Sequence, residues 1–338
     1  MSEPDAARAL GVAETRSRLD GLTIVVPGST SNLGAGFDAL AIAVRLYVRV
    51  TVAGVADRER NRVRSTFNGV LLEGDDYVAR SVTTLAAREG VDFPSLQLEI
   101  TSEIPMQAGL GSSAAATVAG VLLYERLTGA ASGAPAPHAP RLDLLVEGTR
   151  FEGHPDNVAA SVLGGLTVAC DTSDGGVLAV SSPWPEDVRL VAVTPDVRVK
   201  TPEARRVLPE TLSRADAIFN LQRAALFVAG VNHGRRDVLR EALQDRWHQP
   251  YRAPLVPGLT EALALETPGL LGVCLSGSGP TVIGFTDAPD TADIEQAFRR
   301  VYERLGIGCT VRVLSAHNPP SRPRRFGEAS SDLTDPKT

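Results

Sequence analysis

The sequence predicts an α+β protein with two lobes. Its 338 residues exceed what one hydrophobic core commonly holds, which is about 250–300 residues. Strand patterns dominate the first part of the chain, and a second series of strands and helices begins after Val168. We therefore expect lobes over residues 21–172 and 173–316, with disordered tails at 1–20 and 317–338.

The first lobe is predicted from short strands and helices that alternate along the chain. Residues 96–100 alternate apolar and polar side chains, as a half-buried strand does. Gly129 ends the helix that follows a glycine-rich loop, and the Ala-, Pro- and Gly-rich residues 129–140 predict a flexible connection. The other predicted strands are Ile24–Val26, ended by Pro27, and Leu46–Val52. The predicted helices are Asp75–Glu89, a helix capped by Ser112 or Ser113 that runs through Leu127, and Leu142–Phe151.

The second lobe repeats this mixture in its own order. Gly306 ends its last helix, as a glycine beyond a helical pattern commonly does. The predicted strands are Val188–Val193, Leu271–Leu275, Thr281–Phe285 and Thr310–Leu314, and the predicted helices are Ala215–Val231, Arg235–Asp245 and Ala292–Leu305.

The composition is that of an ordinary globular protein, with 43% hydrophobic and 22% charged residues. A net charge of −6 argues against a general nucleic-acid binder, which needs a basic face. Cys170, Cys274 and Cys309 are too few and too dispersed for a disulfide framework, which favours a reducing cytoplasm. No run approaches ~18 apolar residues and no secretory core precedes residue 20, so we expect neither export nor a membrane span.

A glycine turn at Ile104–Ala116 is the most informative segment, because it joins a predicted strand directly to a helix. Gly109 and Gly111 let the backbone approach a ligand closely. The helix start adds N–H groups and the positive end of the dipole, equivalent to about half a charge. An anion is the natural ligand, although the same residues also fit a tight structural turn.

The positions of the lysine residues limit which kind of phosphate loop this segment can be. Lys200 and Lys337 are its only lysines, so the lysine that follows the last glycine of a Walker-type loop is missing. A dinucleotide fingerprint also fits poorly, because Pro105 interrupts the approach of the strand.

Two further segments are more polar than a plain connection requires. Residues 27–38 form a glycine- and hydroxyl-rich loop in which Asn32 and Asp38 are candidates to face a polar ligand, with a capped turn as the alternative. The second segment, 151–157, holds Glu152, His154, Asp156 and Asn157. It lacks three metal ligands at the spacing of a zinc site, whereas Glu152 together with a serine hydroxyl would suit magnesium, which prefers oxygen ligands.

The remaining candidates lie in the second lobe. Ser276–Pro280 is a glycine-rich turn between two strands, with a plain hairpin as the alternative. Arg205 and Arg252 are candidates to hold an anion, because a guanidinium recognises carboxylate or phosphate with a fork of donors. A solvated surface charge is the alternative for either arginine.

Taken in this order, the segments resemble those of the GHMP kinases, a family named for galactokinase, homoserine kinase, mevalonate kinase and phosphomevalonate kinase. Residues 105–116 resemble the ATP loop of the family, 27–38 its first motif and 275–280 its glycine-rich third motif. The first motif and residues 153–157 are similar to those of the homoserine kinases in particular. The resemblance extends from about residue 23 to residue 314.

This resemblance implies a lobe like the second domain of ribosomal protein S5, followed by a ferredoxin-like lobe, with the active site between them. It implies transfer of a phosphoryl group from ATP to the side-chain hydroxyl of L-homoserine, with Mg²⁺ required, in threonine biosynthesis. A homodimer is expected at the level of the family. The alternatives are a member that phosphorylates another small alcohol, such as threonine or mevalonate, and a binding protein without catalysis.

The same resemblance implies a role for each candidate residue. Ser113 and Glu152 would bind Mg²⁺, with Glu147 as the alternative acidic ligand. Asn157 stands where other members carry an aspartate base, so we expect direct transfer, with Asp156 as the alternative base. ATP would be bound by Pro105, Met106, Gln107, Ala108, Gly109, Leu110, Gly111, Ser112, Ser113, Ala114 and Ala115, and homoserine by Asn32, Asp38, His154, Arg205 and Arg252, with Asp38 on the ammonium and the arginines on the carboxylate.

Overall fold

The computed structural model describes residues 8–74, 76–129 and 144–318 and contains two main sheets with helices, which confirms the α+β class. The strands are β1 Arg8–Ala9, β2 Thr23–Ser31, β3 Leu40–Ala56, β4 Val63–Phe67, β5 Val70–Leu71, β6 Val91–Asp92, β7 Ser95–Ser102, β8 Leu166–Asp171, β9 Val177–Ser182, β10 Arg189–Pro195, β11 Leu270–Leu275, β12 Val282–Thr286 and β13 Cys309–Leu314.

The helices range from single turns to nearly twenty residues. They are α1 Val12–Leu19, α2 Tyr77–Arg88, α3 Ser112–Thr128, α4 Leu144–Glu152, α5 Asp156–Leu163, α6 Thr201–Arg206, α7 Arg214–Asn232, α8 Leu239–Ala242, α9 Gln249–Arg252, α10 Leu259–Leu263 and α11 Ala292–Arg304, with 3₁₀ turns at Arg236–Val238 and Ala253–Leu255. Among the helices that the structure describes, none is both long and apolar enough to cross a membrane.

Seven strands form the first sheet, in the order β5-β4-β7-β3-β8-β9 with β2 paired to β3. Helices α3 and α5 pack against β2, and α5 also packs against β3 and β8. The strand β2 continues past Pro27, where we predicted its end, because the pairing with β3 shifts register between Pro27 and Gly28. Such an irregularity tolerates a residue without an N–H group, and it carries the strand on to the start of α3.

The second sheet has four antiparallel strands in the order β11-β12-β10-β13. This order, with helices between β10 and β11 and between β12 and β13, is the predicted ferredoxin-like arrangement. The strand β9 belongs to the first sheet, which therefore extends beyond the predicted lobe boundary at residue 172. A continuous apolar core that includes Leu33, Leu243 and Cys274 joins the two lobes.

Three further local predictions were wrong. Residues 8–20 are not a disordered tail, because β1 pairs with β6 and α1 buries Leu19 completely. The helix expected over 235–245 is broken into a 3₁₀ turn and the short α8. At the other end, His317 donates its backbone N–H to Ala43 O and so belongs to the fold. Residues 1–7 and 319–338, and the flexible connection predicted at 129–140 beyond residue 129, lie outside the described residues.

Candidate active site

The predicted phosphate loop joins β7 to α3 and has an alternating backbone. Gln107, Gly109 and Gly111 have φ angles of 53°, 77° and 69°. Left-handed residues that alternate with ordinary ones turn successive N–H groups toward one concave side, where an anion can bind. Gly111 is the N-cap of α3 and no side chain caps the helix, so the predicted capping by Ser112 or Ser113 is wrong.

The first and third motifs hold this loop by close backbone packing. A Cβ atom on Gly109 would lie 2.3 Å from Ser276 O, and one on Gly111 would lie 2.3 Å from Ser29 Oγ. Ser276 Oγ also donates to Gly109 O at 2.6 Å, and Ser29 N donates to Leu110 O at 3.1 Å. Both glycines are therefore required by space as well as by backbone angle.

The side chains of the predicted ATP-binding run do not all face solvent. Ala108, Leu110 and Ala114 are buried, whereas the Met106 side chain is exposed. The N–H of Ala115 donates to Gly111 O within the first turn of α3. The backbone before that turn is what the loop presents to a ligand.

Ser113 and Glu152 meet at the start of α3. Ser113 Oγ donates to Glu152 Oε2 at 2.8 Å, although the two residues lie 39 positions apart. Thr117 Oγ1 donates to the second carboxylate oxygen at 3.0 Å. Two hydroxyls and one carboxylate thus form a compact set of oxygen atoms beside the loop that could act as metal ligands.

Glu147, the alternative acidic residue, lies in a different environment. Its buried carboxylate accepts from Arg88 Nη1 at 2.7 Å and from Arg150 Nη1 at 2.6 Å. Two arginines compensate its charge, so Glu147 is bound within the scaffold rather than to Ser113.

Asn157 joins the segment 151–157 to the first motif, residues 27–38. Its Oδ1 accepts from Ser29 Oγ at 2.8 Å and its Nδ2 donates to Ser31 Oγ at 2.9 Å. These bonds bring the start of α5 to the end of β2, close to the phosphate loop that Ser29 also contacts.

The two residues expected to bind opposite charges of one substrate bind each other. Arg205 Nη1 and Nη2 donate to the two carboxylate oxygens of Asp38 at 3.0 and 2.8 Å. Both side chains remain partly exposed, at 37% for Arg205 and 32% for Asp38. This forked ion pair joins the first motif to α6.

His154 lies between two carboxylates. Its Nδ1 lies 2.7 Å from Asp156 Oδ1, and one ligand atom from each of Asp38, His154 and Asp156 falls within 4.8 Å of the others. Burial lowers the pKa of His154, but the hydrogen bond and the charge of Asp156 outweigh it, so the pKa is raised above its ordinary value of 6.5. The group therefore favours a cation at this end of the site.

Asn32 and Arg252 lie in a buried layer beneath these groups. Asn32 Nδ2 and Arg252 Nη1 both donate to Gly277 O, each at 2.9 Å. Asn32 Oδ1 accepts from the backbone N–H of Asp38 at 3.0 Å, and Arg252 Nε donates to Ala204 O at 3.1 Å. Arg252 is 2% exposed, so it is not a surface charge.

Both arginines lie beside Phe37. Their Cζ atoms are 5.6 Å (Arg205) and 5.3 Å (Arg252) from the centre of that ring. Burial, and then the charge of Arg205, lower the pKa of Arg252 to about 10, which leaves it protonated at neutral pH. Two neighbouring guanidinium groups favour an anion here.

The structure thus brings the predicted residues together at two ends of one site, and it adds partners that sequence patterns did not reveal. Thr117 has a signal in retrospect, because it lies one helical turn after Ser113 and so shares its face of α3. His248 lies one turn before Arg252 in the same way, and both residues are buried. Ser29 and Ser31 were within the first motif but had no role of their own.

Comparison with known proteins places this geometry in a class. The N-terminal domain of the GHMP kinases matches residues 76–165, and their C-terminal domain matches residues 227–305. A galactokinase from Lactococcus lactis, solved with galactose, has the same fold, with a TM-score of 0.65 and 15% identity over 91% of this chain and 97% of that chain. The fold is that of the GHMP kinases.

More similar relatives narrow the class. The chain is 42% identical over 260 residues to a homoserine kinase of Solibacter usitatus, which covers 77% of this chain and 83% of the relative. It is 41% identical to a homoserine kinase of Deinococcus radiodurans over 84% of this chain and 91% of that one. The crystal structure of a homoserine kinase from Cytophaga hutchinsonii aligns with a TM-score of 0.73 and 26% identity over 89% of this chain and 96% of that chain. This chain belongs to the homoserine kinases of the GHMP kinase family.

Proposed function

We infer that this protein transfers a phosphoryl group from ATP to the side-chain hydroxyl of L-homoserine, forming O-phospho-L-homoserine and ADP. The observation that carries the inference is the pairing of a phosphate loop with a site of two opposite charges, Asp38 and Arg205, in a chain of this family. An amino acid carries one ammonium and one carboxylate, and the site offers a partner for each.

We propose that the oxygen donors at the start of α3 hold Mg²⁺. Hard oxygen ligands from a carboxylate and hydroxyls suit this ion, and Ser113 and Thr117 direct their hydroxyls at Glu152. The ion would neutralise phosphate charge when bound together with ATP. Glu147 is the weaker candidate, because Arg88 and Arg150 already compensate its charge.

Homoserine binding, as we propose it, exchanges one ion pair for two. The ammonium takes the carboxylate of Asp38 from Arg205, and the released guanidinium takes the carboxylate of the substrate. Every charge keeps a partner only if the ligand carries both signs. A second positive group, Arg252, lies beneath and adds to the field that attracts the carboxylate.

The transfer itself needs position more than a strong base. The hydroxyl oxygen bonds to the γ-phosphorus as the bond from that phosphorus to the β–γ bridging oxygen breaks, and the proton leaves late, to a phosphate oxygen. Asn157 is bound on both sides of its amide by Ser29 and Ser31, which fixes it beside the phosphate loop. Asp156 is buried and accepts from His154 and from the N–H of Asn157, so its carboxylate is committed to holding these residues.

We further propose that the enzyme works in the cytoplasm and as a homodimer. The three cysteines are free thiols, which agrees with a reducing compartment. The dimer is an expectation from the family, and the sedimentation coefficient of the purified protein tests it.

A coupled assay of ADP release tests the function. Purified protein is supplied with Mg-ATP and with homoserine, threonine, mevalonate or shikimate in turn. We expect turnover with homoserine, and detection of O-phosphohomoserine by mass spectrometry. Turnover only with an alcohol that is not an amino acid would overturn the substrate, and calorimetry without Mg-ATP binding would overturn the kinase.

A further inference from the structure

A fully buried histidine lies behind the amino-acid end of the site. Nε2 of His248 is 2.8 Å from Gly34 O, and its Nδ1 is 3.2 Å from Arg252 Nη1. A guanidinium only donates, so Nδ1 is the acceptor and Nε2 carries the hydrogen that Gly34 O accepts. Burial above all lowers the pKa of His248, to about 4, and a neutral ring is what this pair of bonds requires.

The position of His248 is fixed from its own segment. The buried carboxylate of Asp245 accepts the backbone N–H groups of the turn that starts α9, including that of His248 at 2.8 Å. It also accepts from Asn220 Nδ2 on α7 at 2.6 Å. One helical turn separates His248 from Arg252, which places both side chains on one face of α9.

His248 contacts both walls of the amino-acid end. Gly34 belongs to the same loop as Asp38, and a Cβ on Gly34 would lie 2.3 Å from Leu243 O, so this loop has no room to move toward the second lobe. The His248 ring lies 5.4 Å from the ring of Phe37, centre to centre. A single side chain therefore connects the backbone of the Asp38 loop to Arg252.

We propose that His248 is a positioning residue for homoserine binding, which sets the separation between the Asp38 loop and Arg252. Asp38 would bind the ammonium group, and the field of Arg252 would favour the carboxylate most when the two residues keep the spacing of one small amino acid. The imidazole fixes that spacing through a bond on each side. The proposal rests on the proposed function, because it assumes that these groups bind homoserine.

Substitution of His248 should raise the KM of homoserine and leave the KM of ATP nearly unchanged. His248→Phe keeps a planar ring against Phe37 and removes both hydrogen bonds. Loss of a bond to a charged group predicts a homoserine KM about tenfold higher or more, with kcat and the KM of ATP within about threefold. His233→Phe, at the exposed end of α7, is the control for the same replacement and should leave all three values unchanged.

Two conservative variants divide the effect between the bonds. His248→Asn places its amide near the position of Nδ1 and retains the contact with Arg252, whereas His248→Gln reaches Gly34 O instead. We expect His248→Asn to recover part of the homoserine KM. If His248→Phe does not fold, the KM values of homoserine and ATP in these two variants provide the same comparison.

A double substitution tests whether His248 acts through Arg252. In Arg252→Lys the planar fork is already lost, so adding His248→Phe should raise the homoserine KM less than it does in the wild-type background. Additive effects, or equal changes in the KM of ATP and homoserine with the fold intact by thermal unfolding, would overturn the proposal. Turnover of homoserine by the wild-type protein tests the proposed function separately.

Discussion

The two ends of the site are built in different ways. At the nucleotide end, backbone packs on backbone: Gly109 lies against Ser276 O and accepts a hydrogen bond from the hydroxyl of that serine. At the amino-acid end, a partly exposed ion pair between Asp38 and Arg205 lines the site. We therefore expect triphosphate binding to depend on a fixed shape, and amino-acid binding to depend on partners that can be exchanged.

This difference predicts where the enzyme tolerates change. An added methyl group is excluded at Gly109, because the atoms that it would meet are backbone oxygens rather than a flexible side chain. A changed charge at the amino-acid end leaves the shape intact and alters which ligands are bound.

The largest effect is expected from Gly109→Ala. Its Cβ would lie 2.3 Å from a backbone oxygen at a φ of 77°, so the loop must shift, and a displacement of about 1 Å can cost about 10²-fold in rate. We expect kcat/KM for ATP to fall by at least about 10²-fold in steady-state assays. Gly175→Ala has a similar φ of 82° with nothing within 4 Å, so it isolates the backbone cost alone. An equal loss in both variants would contradict the packing argument.

The next effect separates the two candidate acidic ligands. Glu152→Gln removes the carboxylate that Ser113 and Thr117 contact, and we expect kcat to fall about 10- to 100-fold with a higher requirement for Mg²⁺. Glu147→Gln removes two ion pairs within the scaffold and should leave kcat unchanged while lowering the free energy of unfolding by about 1 kcal/mol. Magnesium titrations of both variants provide the measurement. A larger loss of kcat in Glu147→Gln would reverse the assignment.

Local patterns in the sequence were sufficient to predict elements that depend on neighbouring residues. The turn at Gly109 and Gly111, the helix that follows it and the end of that helix at Gly129 were all predicted from neighbouring residues. The helix α1 was missed, since it is mostly polar and its burial of Leu19 depends on a sheet formed later in the chain.

Contacts between distant segments could not be predicted in this way. Asp38 and Arg205 lie 167 positions apart, and each was assigned to a charge of the substrate without any sign that they bind each other. The resemblance to a family proposed Ser113 and Glu152 as partners, but left Glu147 open because spacing does not report burial or neighbouring arginines. The tertiary structure supplies that information.

The ion pair predicts a change of ligand preference in Asp38→Asn. Homoserine loses its ammonium partner, so we expect its KM to rise about tenfold. Arg205 is released from its own partner, so 4-hydroxybutyrate, which is homoserine without the amino group, should bind more tightly than to the wild type. Inhibition constants provide the comparison, and Asp237→Asn, which breaks the exposed fork to Arg235, is the control. Weaker binding of both ligands would show that the pair does not compete with the substrate.

The smallest effect is a difference in pH dependence between His154 and the buried His248. His248 has a pKa of about 4 in the folded protein, so the unfolded chain binds more protons between about pH 4 and 6.5, and stability falls as pH is lowered through that range. His154 has a raised pKa, so it stabilises the fold at low pH and its contribution is lost as pH rises above 6.5. Urea unfolding from pH 4.5 to 8 should show a loss of up to about 1 kcal/mol per pH unit on the acid side that His248→Phe removes and His154→Gln does not. Identical slopes for the wild type and His248→Phe would mean that the ring is not held neutral, and the fixed spacing behind the exchangeable ion pair would lose its support.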